Sequence, residues 1–277
     1  MGKATRESKS RIATGIVLAV LICAVLLFSH IPAVLLGTVV FLNVCAVYEI
    51  FQAAHMMSER KLFWAAIAGA VVISLIPILN YGNILPYVFG FGVLIFLRIM
   101  CRCGRCILDV PVRLCGICLL VVMLFRSIPT VRNLEHGFYR LIFAVVSCCV
   151  TDIFAYLTGK AFGKKKLCPK ISPNKTVEGS VGGTLAATVI LLLLGLLLER
   201  IAALQVNFAI LTLYAVLSSL LGQFGDLAMS AVKRCLGVKD FGSIFPGHGG
   251  MLDRFDSLLF AAPFTCLFCR YIAAFFI

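Results

Sequence analysis

Residues 221–257 read LGQFGDLAMSAVKRCLGVKDFGSIFPGHGGMLDRFDS and lie between two segments apolar enough to cross a bilayer. Within this one stretch fall Asp226, Lys233, Arg234, Lys239, Asp240, His248, Asp253, Arg254 and Asp256. Carboxylates and cations interleaved this closely, with glycines between them, are the chemistry of a site that holds phosphates and a divalent metal. The apolar flanks make the same stretch a charged connection between membrane spans, so the rest of the chain reads as the scaffold that holds it at a membrane surface.

Composition agrees. The 277 residues are 61% hydrophobic and only 13% charged, with a mean hydropathy of +1.06. That leaves too little polar surface to cover a soluble globule, and an integral membrane protein is implied. The apolar runs are close to the roughly 20 residues that span a hydrocarbon core as helix, whereas barrel strands would be shorter and would alternate. The expected fold is therefore all-α and polytopic. Spans are expected at 12–28, 33–54, 62–79, 84–97, 107–125, 138–158, 181–198, 206–224 and 257–277, about nine in all. The first is kept as a membrane helix because it is long for a signal-peptide core and lacks a small-residue cleavage site ahead of His30 and Pro32. Residues 1–137 are expected to be scaffold helices and 138–277 the catalytic membrane region.

Cations set the orientation. Lys3, Arg6, Lys9 and Arg11, then Arg60 and Lys61, then Arg98, Arg102 and Arg105, then the 160–175 loop, then Lys233, Arg234, Lys239 and Arg254 fall on alternate sides of successive spans. They therefore share one side, which the positive-inside rule makes the cytoplasm. The expected location is a bacterial inner membrane with the active site facing the cytoplasm. A net charge of +13 then reflects this asymmetry and attraction to anionic lipid head groups, and no nucleic acid is expected as a partner. Most of the 13 cysteines lie in apolar spans and behave as small hydrophobes. Cys101, Cys103 and Cys106 cluster beside arginines, but a fourth zinc ligand is missing and the compartment is reducing, so free thiols are expected.

A second polar region, 151–183, reads TDIFAYLTGKAFGKKKLCPKISPNKTVEGSVGG. Asp152 falls in an apolar span, where a carboxylate costs on the order of 2.5–3.5 kcal/mol at mid-bilayer, so it must face a polar interior or the surface. Lys164, Lys165 and Lys166 read as topology determinants. Lys175, in SPNKTVEG, is expected in a turn fixed by Pro, Asn and Gly, just ahead of a helix whose opening amides suit a phosphate. Glu178 suits the first turn of that helix, and Gly182 and Gly183 suit close helix packing.

Returning to the first stretch, a helix from Val206 would bring Asp226 to the edge of the hydrocarbon after about 30 Å, with Ser230 and Lys233 on the same face and Gly237 ending it. Asp253 and Asp256, three apart, would project together from the start of the last span. Each aspartate also suits a helix cap. Three carboxylates, Asp226, Asp253 and Asp256, are the expected metal ligands. Gly249 and Gly250 would leave backbone open to a phosphate chain. His248 reads as a base, a phosphate ligand or a loop hydrogen-bonder.

The run SAVKRCLGVKDFGSIFPGHGGMLDRFD, residues 230–256, closely resembles the signature of the phosphatidate cytidylyltransferase (CDP-diacylglycerol synthase) family, and DIFAYLTGKAFGKKKLCPKISPNKTVEG resembles its other shared segment. The resemblance covers mainly the C-terminal half. It implies an enzyme that uses Mg2+, in a two-metal site with room for a further monovalent cation, to join CTP to phosphatidate and release pyrophosphate. Under it Asp226, Lys233, Arg234, Lys239, Asp240, His248, Asp253, Arg254 and Asp256 would be catalytic, while Lys175, Asp152, Ser230, Gly249 and Gly250 would contact substrate. Membrane lipid is a further partner, and a homodimer is left open. Two rivals share the setting: a CTP-dependent polyprenol or phytol kinase, and a secondary transporter of an anionic substrate.

Overall fold

A computed structural model describes residues 2–75, 81–101, 110–245 and 249–276. The chain runs through α1 (Gly2–Leu27), a short 3-10 turn (Phe28–His30), α2 (Pro32–Ala53), α3 (Arg60–Leu75), α4 (Tyr81–Cys101), α5 (Val110–Phe125), α6 (Ser127–Arg132) and α7 (Gly137–Phe162). Strands β1 (Lys166–Cys168) and β2 (Ser172–Thr176) follow, then α8 (Val177–Ile201), α9 (Phe208–Cys235), α10 (Leu252–Phe255) and α11 (Leu258–Leu267), which continues as a π-helical turn to Ile272. A helix satisfies its own backbone groups, which is why apolar sequence of this length folds this way where water is absent.

Each of the nine expected spans overlaps a helix. Among the described residues, six stretches are long and apolar enough to cross a membrane: Pro32–Ala53, Asn83–Cys101, Leu114–Arg132, Gly137–Phe162, Val177–Ile201 and Phe208–Cys235. Two shorter apolar helices, Thr14–His30 and Leu258–Ile272, accompany them. The chain is thus a mostly helical membrane protein. The last span is shorter than expected. Pro263 lies inside α11, Ala273 turns extended after the π-helical turn, and Phe276 returns to pair with Val206.

The hairpin is a second departure. Lys175 lies in β2, not in a turn, and β2 pairs antiparallel with β1 in the register Lys166↔Thr176 and Cys168↔Ser172. Pro173 fits because its fixed φ is compatible with extended backbone at the edge of a two-stranded sheet. Thr176 then closes the hairpin and opens α8, its hydroxyl accepting the Gly179 N–H at 3.1 Å as an N-cap.

Helices α7 and α8 approach along glycines. A Cβ on Gly182 would lie 2.5 Å from the Thr158 hydroxyl, and one on Gly183 would lie 2.7 Å from the Thr151 carbonyl oxygen. Small residues let two backbones meet where lipid offers no hydrophobic drive to association. Across this seam Thr151 donates to Ser219 at 2.8 Å, and Gln223 on α9 donates to Thr184 on α8 at 3.0 Å, tying the three helices together.

Two apolar clusters hold the remainder. The larger joins α2 and α5 to the C-terminal elements through Val39, Phe51, Val121, Met229, Val232 and Leu259. The smaller gathers Phe143, Tyr214, Phe264, Phe268 and Phe275, with the Tyr214 hydroxyl on Thr265 at 2.8 Å. The first cluster crosses the expected boundary at 137/138, so the two halves share one core.

Candidate active site

The C-terminal end of α9 carries most of the chemistry. Its N-terminus is capped by Asn207, which accepts the Ile210 N–H at 3.2 Å, and Asp226 follows five turns on, near 27 Å along the axis. The helix ends as expected: Gly237 has φ +74° and Val238 N–H reaches back to the Lys233 carbonyl at 3.0 Å, a Schellman-type closure that glycine permits.

Around Asp226 three elements converge. Lys175 of β2 forms an ion pair with its carboxylate, and Ser230, one turn on, donates to it at 3.3 Å. Asp256 is buried, and burial followed by the Asp226 charge pushes its carboxyl well above the ordinary carboxylate range. Asp152 of α7 lies within electrostatic reach of both Asp226 and Asp256 and accepts from Ser257 Oγ at 3.3 Å. Asp152, Asp226 and Asp256 are therefore within electrostatic reach of one another, as are Lys175 and Lys233 of Asp256.

Asp253 is turned elsewhere. Its Oδ1 accepts from Lys233 Nζ at 2.6 Å, and its Oδ2 accepts the N–H groups of Phe241 and Gly250 at 3.0 and 2.9 Å. Lys233 lies 5.5 Å from the centre of the Phe241 ring, so this buried pair is enclosed by the loop it organises. Asp253 lies in the four-residue α10 whereas Asp256 follows its end, and the two side chains consequently have different partners despite their spacing. Among the described residues no group of three or more His, Cys, Asp or Glu side chains is placed to hold a metal ion. The expected trio of Asp226, Asp253 and Asp256 around one ion is not assembled.

The other expected residues divide plainly. Arg234 donates to the Ile171 carbonyl at 3.2 Å and the Val238 carbonyl at 3.1 Å, stapling the hairpin to the end of α9. Lys239, Asp240 and Arg254 are exposed, and Asp240 lies beside Gly249, not in an ion pair with Lys239 among the described residues. Gly249 takes φ +84°, a conformation that favours glycine. Glu178 accepts the Lys165 N–H, anchoring the loop before the hairpin. His248, Cys103 and Cys106 lie outside the described residues, and Cys101 is a free thiol.

One residue at this site was not anticipated. Glu49 of α2 has no exposed surface, and its two oxygens accept the N–H groups of Met251 and Leu252 at 2.6 and 2.8 Å. The signal was present, since Glu49 is the sole charged residue between 33 and 54, and the reasoning applied to Asp152 applies to it equally.

The fold and site thus define a polytopic helical membrane protein with a cluster of acids and lysines, buried at Lys233, Asp253 and Asp256 and open at Asp152, Lys175 and Asp226, at the meeting point of α7, the hairpin, α9 and the 252–256 turn. A profile of the cytidylyltransferase family matches residues 9–272, and the chain belongs to that family. It is 48% identical over 143 residues to the phosphatidate cytidylyltransferase of Bacillus subtilis, covering 51% of this chain and 52% of that one. It is 46% identical over 129 residues to the phosphatidate cytidylyltransferase of Staphylococcus epidermidis, covering 47% and 48%. An uncharacterized Escherichia coli protein, YnbB, is 42% identical over 144 residues, covering 52% and 46%. Each match thus spans about half the length of the relative.

Proposed function

We propose that the chain transfers the cytidylyl group of CTP to phosphatidate, forming CDP-diacylglycerol and releasing pyrophosphate. A phosphate oxygen of phosphatidate attacks the α-phosphorus of CTP, the bond from that phosphorus to the β-phosphate oxygen breaks, and the pair of electrons leaves with pyrophosphate. The observation that carries the reading is the Lys175–Asp226 ion pair set beside Asp256 and Asp152, in a family of cytidylyltransferases.

The attacking group is already an anionic phosphomonoester with a second pKa near 6, so no strong general base is required. The difficulty is repulsion between anions and charge on the leaving group. Lys175 is the cation placed to release Asp226 and meet a phosphate. Lys233 supports it through Asp253, and Lys239, Arg234 and Arg254 line the exposed approach as candidate neutralising charges. Ser230 and Gly249 complete the proposed contacts, with His248 and Asp240 in the same stretch of sequence. Both substrates are recognised at the end of the helices, so acyl chains remain in lipid while the nucleotide arrives from water.

A divalent cation, Mg2+, fits the carboxylates present in one particular way. Asp226 and Asp256 supply two hard oxygen donors, and magnesium is held by one or two carboxylates with the remaining positions filled by substrate phosphates and water. Asp226 and Asp256, with Asp152 nearby, would hold it, while Asp253 is committed to Lys233 and the loop. When bound it would supply charge neutralisation at the phosphates. We further place nine spans in a bacterial inner membrane, with residues 138–277 as the catalytic region and the site on the cytoplasmic side, on the strength of the cation distribution.

The test is purified protein with labelled CTP, phosphatidate and Mg2+, followed by chromatography of lipid and nucleotide products. CDP-diacylglycerol and pyrophosphate in equal amounts are expected. Appearance of CDP with a phosphorylated alcohol would assign a lipid kinase instead, and no nucleotide turnover by folded protein would remove the reading.

A further inference from the structure

We infer that Glu49 is a positioning residue for the nucleotide-handling loop, holding the backbone of residues 250–252 so that Asp253 and Lys233 stay in register with Asp226. The inference rests on the reaction proposed above and adds to it a residue from the opposite half of the chain.

Glu49 is a fully buried acid, and among the described residues no ion pair accompanies it. A buried carboxylate is costly unless its oxygens are hydrogen-bonded. Here they are satisfied by backbone, through the short bonds from Met251 and Leu252. The sequence also makes room for it. A Cβ on Gly242 would lie 2.9 Å from Glu49 Oε1, and one on Gly250 would lie 2.5 Å from the same oxygen. Gly250, read from sequence as an opening for a phosphate chain, instead borders the glutamate.

Asp253 grips the same loop from its other side, through the Phe241 and Gly250 N–H groups. The backbone at Phe241 and at Gly250–Leu252 is thus held by two carboxylates, one from α2 and one from α10. Asp253 in turn fixes Lys233 at 2.6 Å, and Lys233 acts on Asp256. Any shift of the Met251–Leu252 backbone passes along this chain to the acids around Asp226. Glu49 therefore acts through other residues, not on a substrate.

The experiment compares Glu49→Gln, Glu49→Asp and Glu49→Ala with Val39→Ala, a buried position on the same helix remote from the loop. Glu49→Gln keeps shape but presents an NH2 group to an N–H donor. Amide exchange at Met251 and Leu252 should quicken by on the order of tenfold, and kcat/KM for CTP should fall by roughly tenfold to a hundredfold. KM for phosphatidate should stay within about twofold under the same local-displacement argument. Glu49→Asp should recover part of what Glu49→Ala loses, whereas Val39→Ala should lower thermal stability with neither change. Wild-type exchange rates and wild-type kinetics in Glu49→Gln would overturn the inference, as would losses equal for both substrates that merely follow melting temperature. A wild type that makes no liponucleotide would sink the proposed reaction instead, and the exchange measurement would still decide whether Glu49 holds the loop.

Discussion

At the scale of single residues, the Lys233–Asp253 pair shows how a buried charge can be committed to structure and still serve a site. Both side chains are largely withdrawn from solvent, and removing one partner of such a pair leaves an uncompensated charge. Asp253→Asn should therefore destabilise the protein by about 3 kcal/mol or more, read as a lower melting temperature in detergent, and turnover should be lost with it. The double variant Lys233→Met/Asp253→Asn separates the two effects, since it removes both charges while the asparagine Oδ1 can still accept the loop amides: part of the stability should return while activity does not. Lys175→Ala should behave differently, since that pair is partly exposed. Its folding should change by less than about 1 kcal/mol, while the KM for CTP rises; an unaltered KM would remove Lys175 from the nucleotide site.

At the scale of elements, the seam between α7 and α8 sets where Asp152 and the hairpin stand relative to each other. Gly183 meets the Thr151 carbonyl and the Ala155 side chain, and Gly179 meets the Ala155 carbonyl. Gly183→Val should force the helices apart at a cost of roughly 1–3 kcal/mol, and because Asp152 rides on α7 and Lys175 on the strand leading into α8, activity should fall further than stability alone explains. Gly37→Val, at a position with open space around it, is the control. Equal losses in the two variants, measured as melting temperature and turnover, would mean that the seam has no special part in aligning the site.

At the scale of the whole molecule, two predictions follow from how few donors each part supplies. With at most Asp226, Asp256 and Asp152 available, the protein alone should bind Mg2+ weakly and gain it with the nucleotide. Activity should vanish on chelation and return on adding Mg2+, and metal analysis of desalted protein should find well under one equivalent; a stoichiometric ion in substrate-free protein would point to a resident centre. The N-terminal helices are also more than a scaffold. The large apolar cluster crosses between halves, and Glu49 reaches the 251–252 backbone. Residues 138–277 expressed alone should thus fail to give a cooperative melt, and recovery of turnover from that fragment would show the halves to be separable.

Membrane class, the helical fold and the neighbourhood of the site were legible in the residues themselves. Apolar runs of bilayer length admit few other structures, and the signal at Gly237 acts within a turn of where it is written. Which acids meet which partners was not legible. Asp253 and Asp256 are three residues apart, yet one accepts from Lys233 and two loop amides while the other accepts the Ser257 N–H and lies within electrostatic reach of Asp226. The strand at Lys175 depends on pairing with Lys166 and Cys168, and the role of Glu49 depends on a loop about 200 residues away. Hydrogen bonds and ion pairs of this kind join groups brought together only by packing, so periodicity and spacing along the chain carry no record of them.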